Sequence, residues 1–149
     1  MRQIGVIGAS ECPYHVYKIA EDIGRKIARK GWILICGGLG GVMEAASKGC
    51  SMEGGITVGI LPGKEKKEAN PYIKIPIPTG LSEGRNLIII NCSDLLIAIG
   101  GGYGTLSEIG FALKSGKPVI GINTWKNIPG IHYVEDPEDA ISLAEKLLG

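Results

Sequence analysis

Short runs that are apolar on both faces alternate along this chain with segments of helical period, and that alternation fixes the class of fold. Gln3-Ile4-Gly5-Val6-Ile7-Gly8, Trp32–Cys36, Ile56–Leu61, Leu95–Ile99 and Pro118–Ile122 have no polar face. Such runs are strands of a sheet covered on two sides. Between the first two, Val16, Ala20, Ile23 and Ile27 recur at steps of four, three and four, with charged residues on the other face, which predicts a helix from Tyr14 to Lys30. Further helices are expected from Val42 to about Gly49, from Thr105 to Ser115, and from Asp136 onward. Asp136-Pro137-Glu138-Asp139 supplies a cap, a first-turn proline and acidic residues at the positive dipole end.

Two stretches need arbitration. Leu87-Ile88-Ile89-Ile90 has strand propensity, but the next strand starts almost at once, and a parallel crossover needs a dozen or more residues. Arg85–Ser93 is therefore read as a buried helix. Tyr72–Pro78 carries Pro76 and Pro78, which permit only a short or edge strand; Ile131–Val134 is a candidate sixth strand. The expectation is one Rossmann-like domain over residues 1–149: a doubly wound parallel sheet in the order 3-2-1-4-5 with helices on both faces. Ligands bind beyond the carboxyl ends of the strands where the order reverses. Those ends carry Gly8-Ala9-Ser10 and Gly100-Gly101-Gly102.

Composition excludes several partners. Aromatic residues make up 5% of the chain and net charge is +1, with no basic stripe, so nucleic acid is not expected. No apolar run approaches the ~20 residues of a membrane span, and the first residues do not read as a leader. Cys12, Cys36, Cys50 and Cys92 are widely spaced, and with only His15 and His132 to help them no metal site is expected. They read as small buried side chains in a reducing compartment, which makes the cytoplasm the expected location.

Of the 24 glycines, the cluster Gly100-Gly101-Gly102-Tyr103-Gly104-Thr105 carries the most chemistry. A helix start approached through glycines presents unpaired N–H groups to an anion. A single glycine would turn the chain at lower entropic cost than three. The familiar nucleotide motifs do not fit. No G-x-G-x-x-G follows the first strand, the second ends in Cys36-Gly37 where an acidic ribose ligand would stand, and Pro118 follows Gly116-Lys117 where a P-loop has Ser or Thr. Glu108, one turn inside this helix, can stabilise charge developing on a sugar or orient a water; Thr105-x-x-Glu108 is equally the pattern of a capping box. Arg85, a cation at an expected helix start, is placed against the dipole unless it meets an anion or pairs with Glu83. Ser10 follows the first strand and is either a ligand contact or a turn residue.

Gly100–Glu108 resembles the P-G-G-x-G-T-x-x-E motif of the LOG ("Lonely Guy"), lysine-decarboxylase-like family. Gly37-Gly38-Leu39-Gly40-Gly41-Val42-Met43 is similar to that family's second glycine loop, Gly59-Ile60-Leu61-Pro62 to its G-[IV]-x-P segment, and Arg85 to its motif arginine. The likeness spans about residues 3 to 122. It implies phosphoribohydrolase chemistry on a nucleoside 5′-monophosphate, with Glu108 and Arg85 as catalytic residues. Gly100 stands where LOG enzymes have proline, and Asn86 where they usually have lysine. A short branch with glycine at the first motif position includes the molybdenum-cofactor carrier proteins, which bind a phosphorylated pterin. The reading taken forward is a carrier-type binding protein for a phosphorylated nucleotide or pterin, with no other cofactor required. The expected ligand residues are Gly8, Ser10, Gly37, Gly38, Gly40, Arg85, Gly100, Gly101, Gly102, Gly104 and Thr105. Hydrolysis is the alternative, and a homodimer or homotetramer is expected from the apolar surplus of Leu87–Ile90.

Overall fold

A computed structural model describes all 149 residues. In chain order the elements are β1 (Gln3–Gly8), α1 (Tyr14–Arg29), β2 (Ile33–Cys36), α2 (Val42–Met52), β3 (Thr57–Leu61), β4 (Ile75–Pro78), α3 (Arg85–Cys92), β5 (Leu95–Ile99), α4 (Tyr103–Lys114), β6 (Val119–Ile122), β7 (Ile131–Val134) and α5 (Pro137–Leu148). The strands form one sheet in the order β4-β3-β2-β1-β5-β6-β7, parallel throughout. The expected 3-2-1-4-5 core is intact, extended by an edge strand on each side. Pro76 and Pro78 lie in the edge strand β4, where a missing N–H need not break a ladder.

Alternation along each strand divides the core into two layers. Leu95, Ile97 and Ile99 of β5 pack with α1, α2 and α5; Leu96 and Ala98 face α3 and α4. The helical reading of Leu87–Ile90 holds: Ile89 and Ile90 are fully buried against the sheet. In α1 the residues at steps of four, three and four are all buried. Asp136 caps α5 as expected, its Oδ1 accepting from Asp139 N at 2.8 Å.

Two boundaries differ from the sequence expectation, each for a physical reason. Helix α2 does not stop at Gly49 but runs on to Met52. Gly49 is there for close packing: a Cβ on it would collide with the Glu21 carbonyl of α1, and one on Gly24 would collide with the Ala46 carbonyl of α2. The two helices meet backbone to backbone at these positions. Helix α4 starts at Tyr103 rather than Thr105, with Gly102 in the capping position and no side-chain cap. Gly100 and Gly101, at φ of 58° and 101°, complete the turn before the helix starts. Thr105 is thus the third helical residue, and the capping box with Glu108 does not form.

Candidate functional site

The order of the sheet reverses at β1, which lies between β2 and β5. Beyond the carboxyl ends of these strands opens a cleft of about 760 Å³, in the range of small-molecule sites. Gly8 and Ser10 line it from the end of β1, and Gly37 from the end of β2. Gly102, Gly104, Thr105 and Glu108 line it from the first two turns of α4, and Arg85 from the start of α3.

Four of the expected ligand glycines stand behind this lining. Gly38 (φ 77°) turns the chain against Leu61, and its carbonyl accepts from Asn70 N at 2.8 Å. Gly40 packs against the Ser10 carbonyl, where a Cβ would sit 2.9 Å from the oxygen. Gly100 and Gly101 make the turn into α4, and Thr105 packs directly on Gly101. These glycines shape the loops whose neighbours face the cleft.

The helix start itself is open. None of the backbone N–H groups from Gly101 through Thr105 donates to a protein acceptor; the first paired amide is Leu106, which donates to Gly102 O at 3.0 Å. Five adjacent free donors, with the partial positive charge of a helix N-terminus, are the chemistry that suits an anion. Opposite lies Arg85, whose Nη1 donates to Ile60 O at 3.1 Å. Its Nε is buried and has no partner. The ion pair with Glu83 weighed from the sequence does not form. Burial pulls the guanidinium below its ordinary value, partly offset by the charge of Glu108.

Glu108 is 8% exposed, and its carboxylate makes no hydrogen bond to the protein. Burial pushes its carboxyl up to about 7, against the opposing pull of Arg85. Such a group exchanges its proton near neutral pH, which suits general acid–base work. It also leaves the cleft less negative, which suits an anionic ligand.

Residues the sequence reading passed over also contribute. Asn86, next to Arg85, lines the cleft, as do Glu68 and Glu83. The Glu68 carboxylate lies against Gly63, where any Cβ would collide with it. Asn70 ties down the second glycine loop, donating from Nδ2 to Leu39 O at 2.9 Å. Nothing in local sequence marks either role. Glu44, Asp94 and the histidines stand outside the cleft: Glu44 accepts from Tyr17 Oη at 3.0 Å, Asp94 from Gln3 N at 2.8 Å, and His15 and His132 are exposed. The four cysteines are unpaired, and no three His, Cys, Asp or Glu residues cluster as metal ligands.

A parallel sheet with a preformed cleft at its switch point, floored by a glycine-approached helix start, defines a Rossmann-like α/β protein, with the cleft where such sheets take their ligands. The chain belongs to the SLOG cluster4 family, whose model matches residues 1–146. The molybdenum cofactor binding protein of Rippkaea orientalis is 37% identical, with 99% of this chain and 98% of that one aligned at a TM-score of 0.95. The molybdenum cofactor carrier protein of Chlamydomonas reinhardtii is 35% identical over 99% of both chains, at a TM-score of 0.91. A cytokinin riboside 5′-monophosphate phosphoribohydrolase of Mycobacterium tuberculosis is 30% identical over 83% of this chain and 71% of its own length. The resemblance to LOG proteins and to the carrier branch therefore holds. No helix is long and apolar enough to cross a membrane.

Proposed function

We propose that this protein is a carrier-type binding protein for a phosphorylated nucleotide or pterin. The phosphate sits on the start of α4 at Gly102, Gly104 and Thr105, across the cleft from Arg85, and the planar ring lies toward Gly37 and Ser10. The observation that carries this reading is that a helix start with free amides and the half-buried Arg85 line one cleft. A phosphate bound there would accept from the open amides and meet the charge of Arg85 in the same cleft. Full-length likeness to the two molybdenum-cofactor proteins supports the same reading. Four unpaired cysteines fit a reducing compartment, here the cytoplasm. The test is thermal shift. AMP or GMP should raise the melting temperature according to RT ln(1 + [L]/Kd), and the matching nucleosides should raise it much less. Equal shifts from nucleoside and nucleotide would sink the phosphate reading.

One feature favours hydrolysis as a second reading: the Glu108 carboxyl, poised at about 7 beside the anion surface. An N-glycosidase would use it to stabilise an oxocarbenium-like ribose or to orient water. The carrier reading takes precedence because Gly100 and Asn86 depart from the hydrolase pattern.

Assembly belongs to the same proposal. Leu87 on α3 and Phe111 on α4 are each 43% exposed on one outer face. Gly110 lies within α4 with open space above it, although a mid-helix glycine costs about 0.5–1 kcal/mol relative to alanine. A second copy of the chain seated on this face accounts for both observations. Light scattering at micromolar concentration should return a dimer or tetramer, and a clean monomer would reject this assembly.

A further inference from the structure

The cleft has an end remote from the start of α4. Gly63 and Glu68 line it there, past the carboxyl end of β3. In the sheet β3 lies three strand spacings from β5, the strand that leads into α4. At the usual spacing the two ends are about 14 Å apart. A hydrogen bond of about 3 Å at each end leaves about 8 Å for a ligand that meets both. Such a ligand is an anion joined to a ring through a short linker, not a bare phosphate.

The β3 end carries a free acceptor. The Glu68 carboxylate rests on Gly63, yet it accepts no hydrogen bond from the protein. The ion pairs of the chain are made by Glu21, Asp22, Glu53, Glu138 and Glu145; Glu68 is in none of them, although Lys64, Lys66 and Lys67 are close in sequence. Glu108 marks the same cleft independently: it is 8% exposed, lines the cleft, and has a carboxylate without a protein partner. A polar group buried in that way needs a partner from outside the chain. An ionised carboxylate only accepts, through two oxygens side by side, so its best match is a pair of adjacent N–H donors. The 2-amino-4-oxopyrimidine ring shared by guanine and pterin offers that pair, the amino group and the ring N–H beside it. Adenine offers one amino group next to a bare ring nitrogen, whose lone pair would face the second carboxylate oxygen.

We propose that Glu68 is the residue that selects the ring, accepting paired hydrogen bonds from the amino group and ring N–H of a 2-amino-4-oxopyrimidine and so favouring guanine or pterin over adenine. This rests on the phosphate reading above and narrows its ligand class. It also fixes the ligand's direction, because a carboxylate at the β3 end repels the phosphate and leaves it to α4 and Arg85.

The test is calorimetry on wild type, Glu68→Gln and Glu83→Gln with GMP, IMP, AMP and neopterin phosphate. Wild type should bind GMP about tenfold or more tighter than AMP, because a site built for donors rejects a ring that lacks them. IMP, which keeps the ring N–H but has no amino group, should fall between. Glutamine turns an NH2 toward the ligand's own donors, so Glu68→Gln should weaken GMP and neopterin phosphate about tenfold and leave AMP unchanged. Glu68 is exposed, so the variant should melt as wild type does. Whichever of GMP and neopterin phosphate wild type binds more tightly tells a nucleotide from a pterin as the source of the ring. Equal wild-type affinities for GMP and AMP would overturn the proposal. So would a GMP-to-AMP ratio that survives Glu68→Gln, or one that falls only in Glu83→Gln. Failure of the phosphate reading shows separately, as guanosine binding as tightly as GMP; the guanosine-to-adenosine ratio would still report on Glu68.

Discussion

Replacing Arg85 with methionine should weaken GMP binding by roughly 30- to 1,000-fold while leaving the protein at least as stable as wild type. The loss follows from removing a charged, desolvated partner of the phosphate, which typically costs about 2–4 kcal/mol. Retained stability follows from what Arg85 does without ligand. It makes one hydrogen bond, to Ile60 O, and buries an Nε that has no partner. Methionine fills an irregular gap with no polar group to satisfy, so the fold loses one bond and sheds one orphan. Sites built for binding commonly carry such a local cost. Gly37→Ala gives an independent route to the same outcome. A Cβ there would collide with Arg85 Nη1 and sit 2.7 Å from Met43 Sδ. The guanidinium, as the flexible partner, must swing away, and affinity should drop while Arg85 is still present. Calorimetry and thermal melts on both variants check this. Unchanged affinity in Arg85→Met would remove Arg85 from the site; a fall of many degrees in its melting temperature would remove the argument from the orphaned Nε.

The sheet was legible because each strand is apolar on both faces, and a chain with that pattern has only a parallel, doubly covered sheet to enter. Assignment of Leu87–Ile90 to a helix came from a connection-length argument that overrode propensity. Gly49 was misread because a glycine that ends a helix and one that admits another helix look alike in sequence; only the Glu21 carbonyl above it tells them apart. Thr105 was misread for a related reason. Its spacing to Glu108 fits a capping box, but glycines already provide the turn, and the helix starts two residues earlier. Arg85 could be flagged as a cation on the wrong end of a helix, whereas its approach to Gly37 could not. Asn70 was invisible because its partner lies 31 residues away. Such contacts depend on which loops the sheet order brings together, and local pattern carries no trace of that.

Glu108→Gln should separate the roles open to this carboxylate, beginning with stability. The folded-state value of about 7 lies above the ordinary 4.5. The folded protein therefore holds this proton more tightly than the unfolded chain does. The associated stability is fully present below about 4.5 and lost as pH rises through 7, amounting to about 3 kcal/mol at alkaline pH. Glutamine, with no charge to bury, removes that dependence. Glu108→Gln should therefore match wild type near pH 5 and exceed it near pH 8.5, measured by denaturant unfolding at both values. Binding should follow the same sign. Once ionised, Glu108 shares the cleft with a phosphate of like charge, so wild-type affinity for GMP should fall above pH 7 and that of Glu108→Gln should not. Turnover then decides between carrier and hydrolase. If Glu108 stabilises charge on ribose, glutamine should cut release of ribose 5-phosphate from AMP or N6-substituted AMP by roughly two to four powers of ten. GMP affinity near pH 5 should survive, since backbone amides and Arg85 hold the phosphate. Wild-type turnover no faster than the buffer blank would reject hydrolysis of those substrates and leave Glu108 as a pH-sensitive wall of a carrier site. Measurable turnover that glutamine leaves untouched would instead reject Glu108 as its catalytic residue.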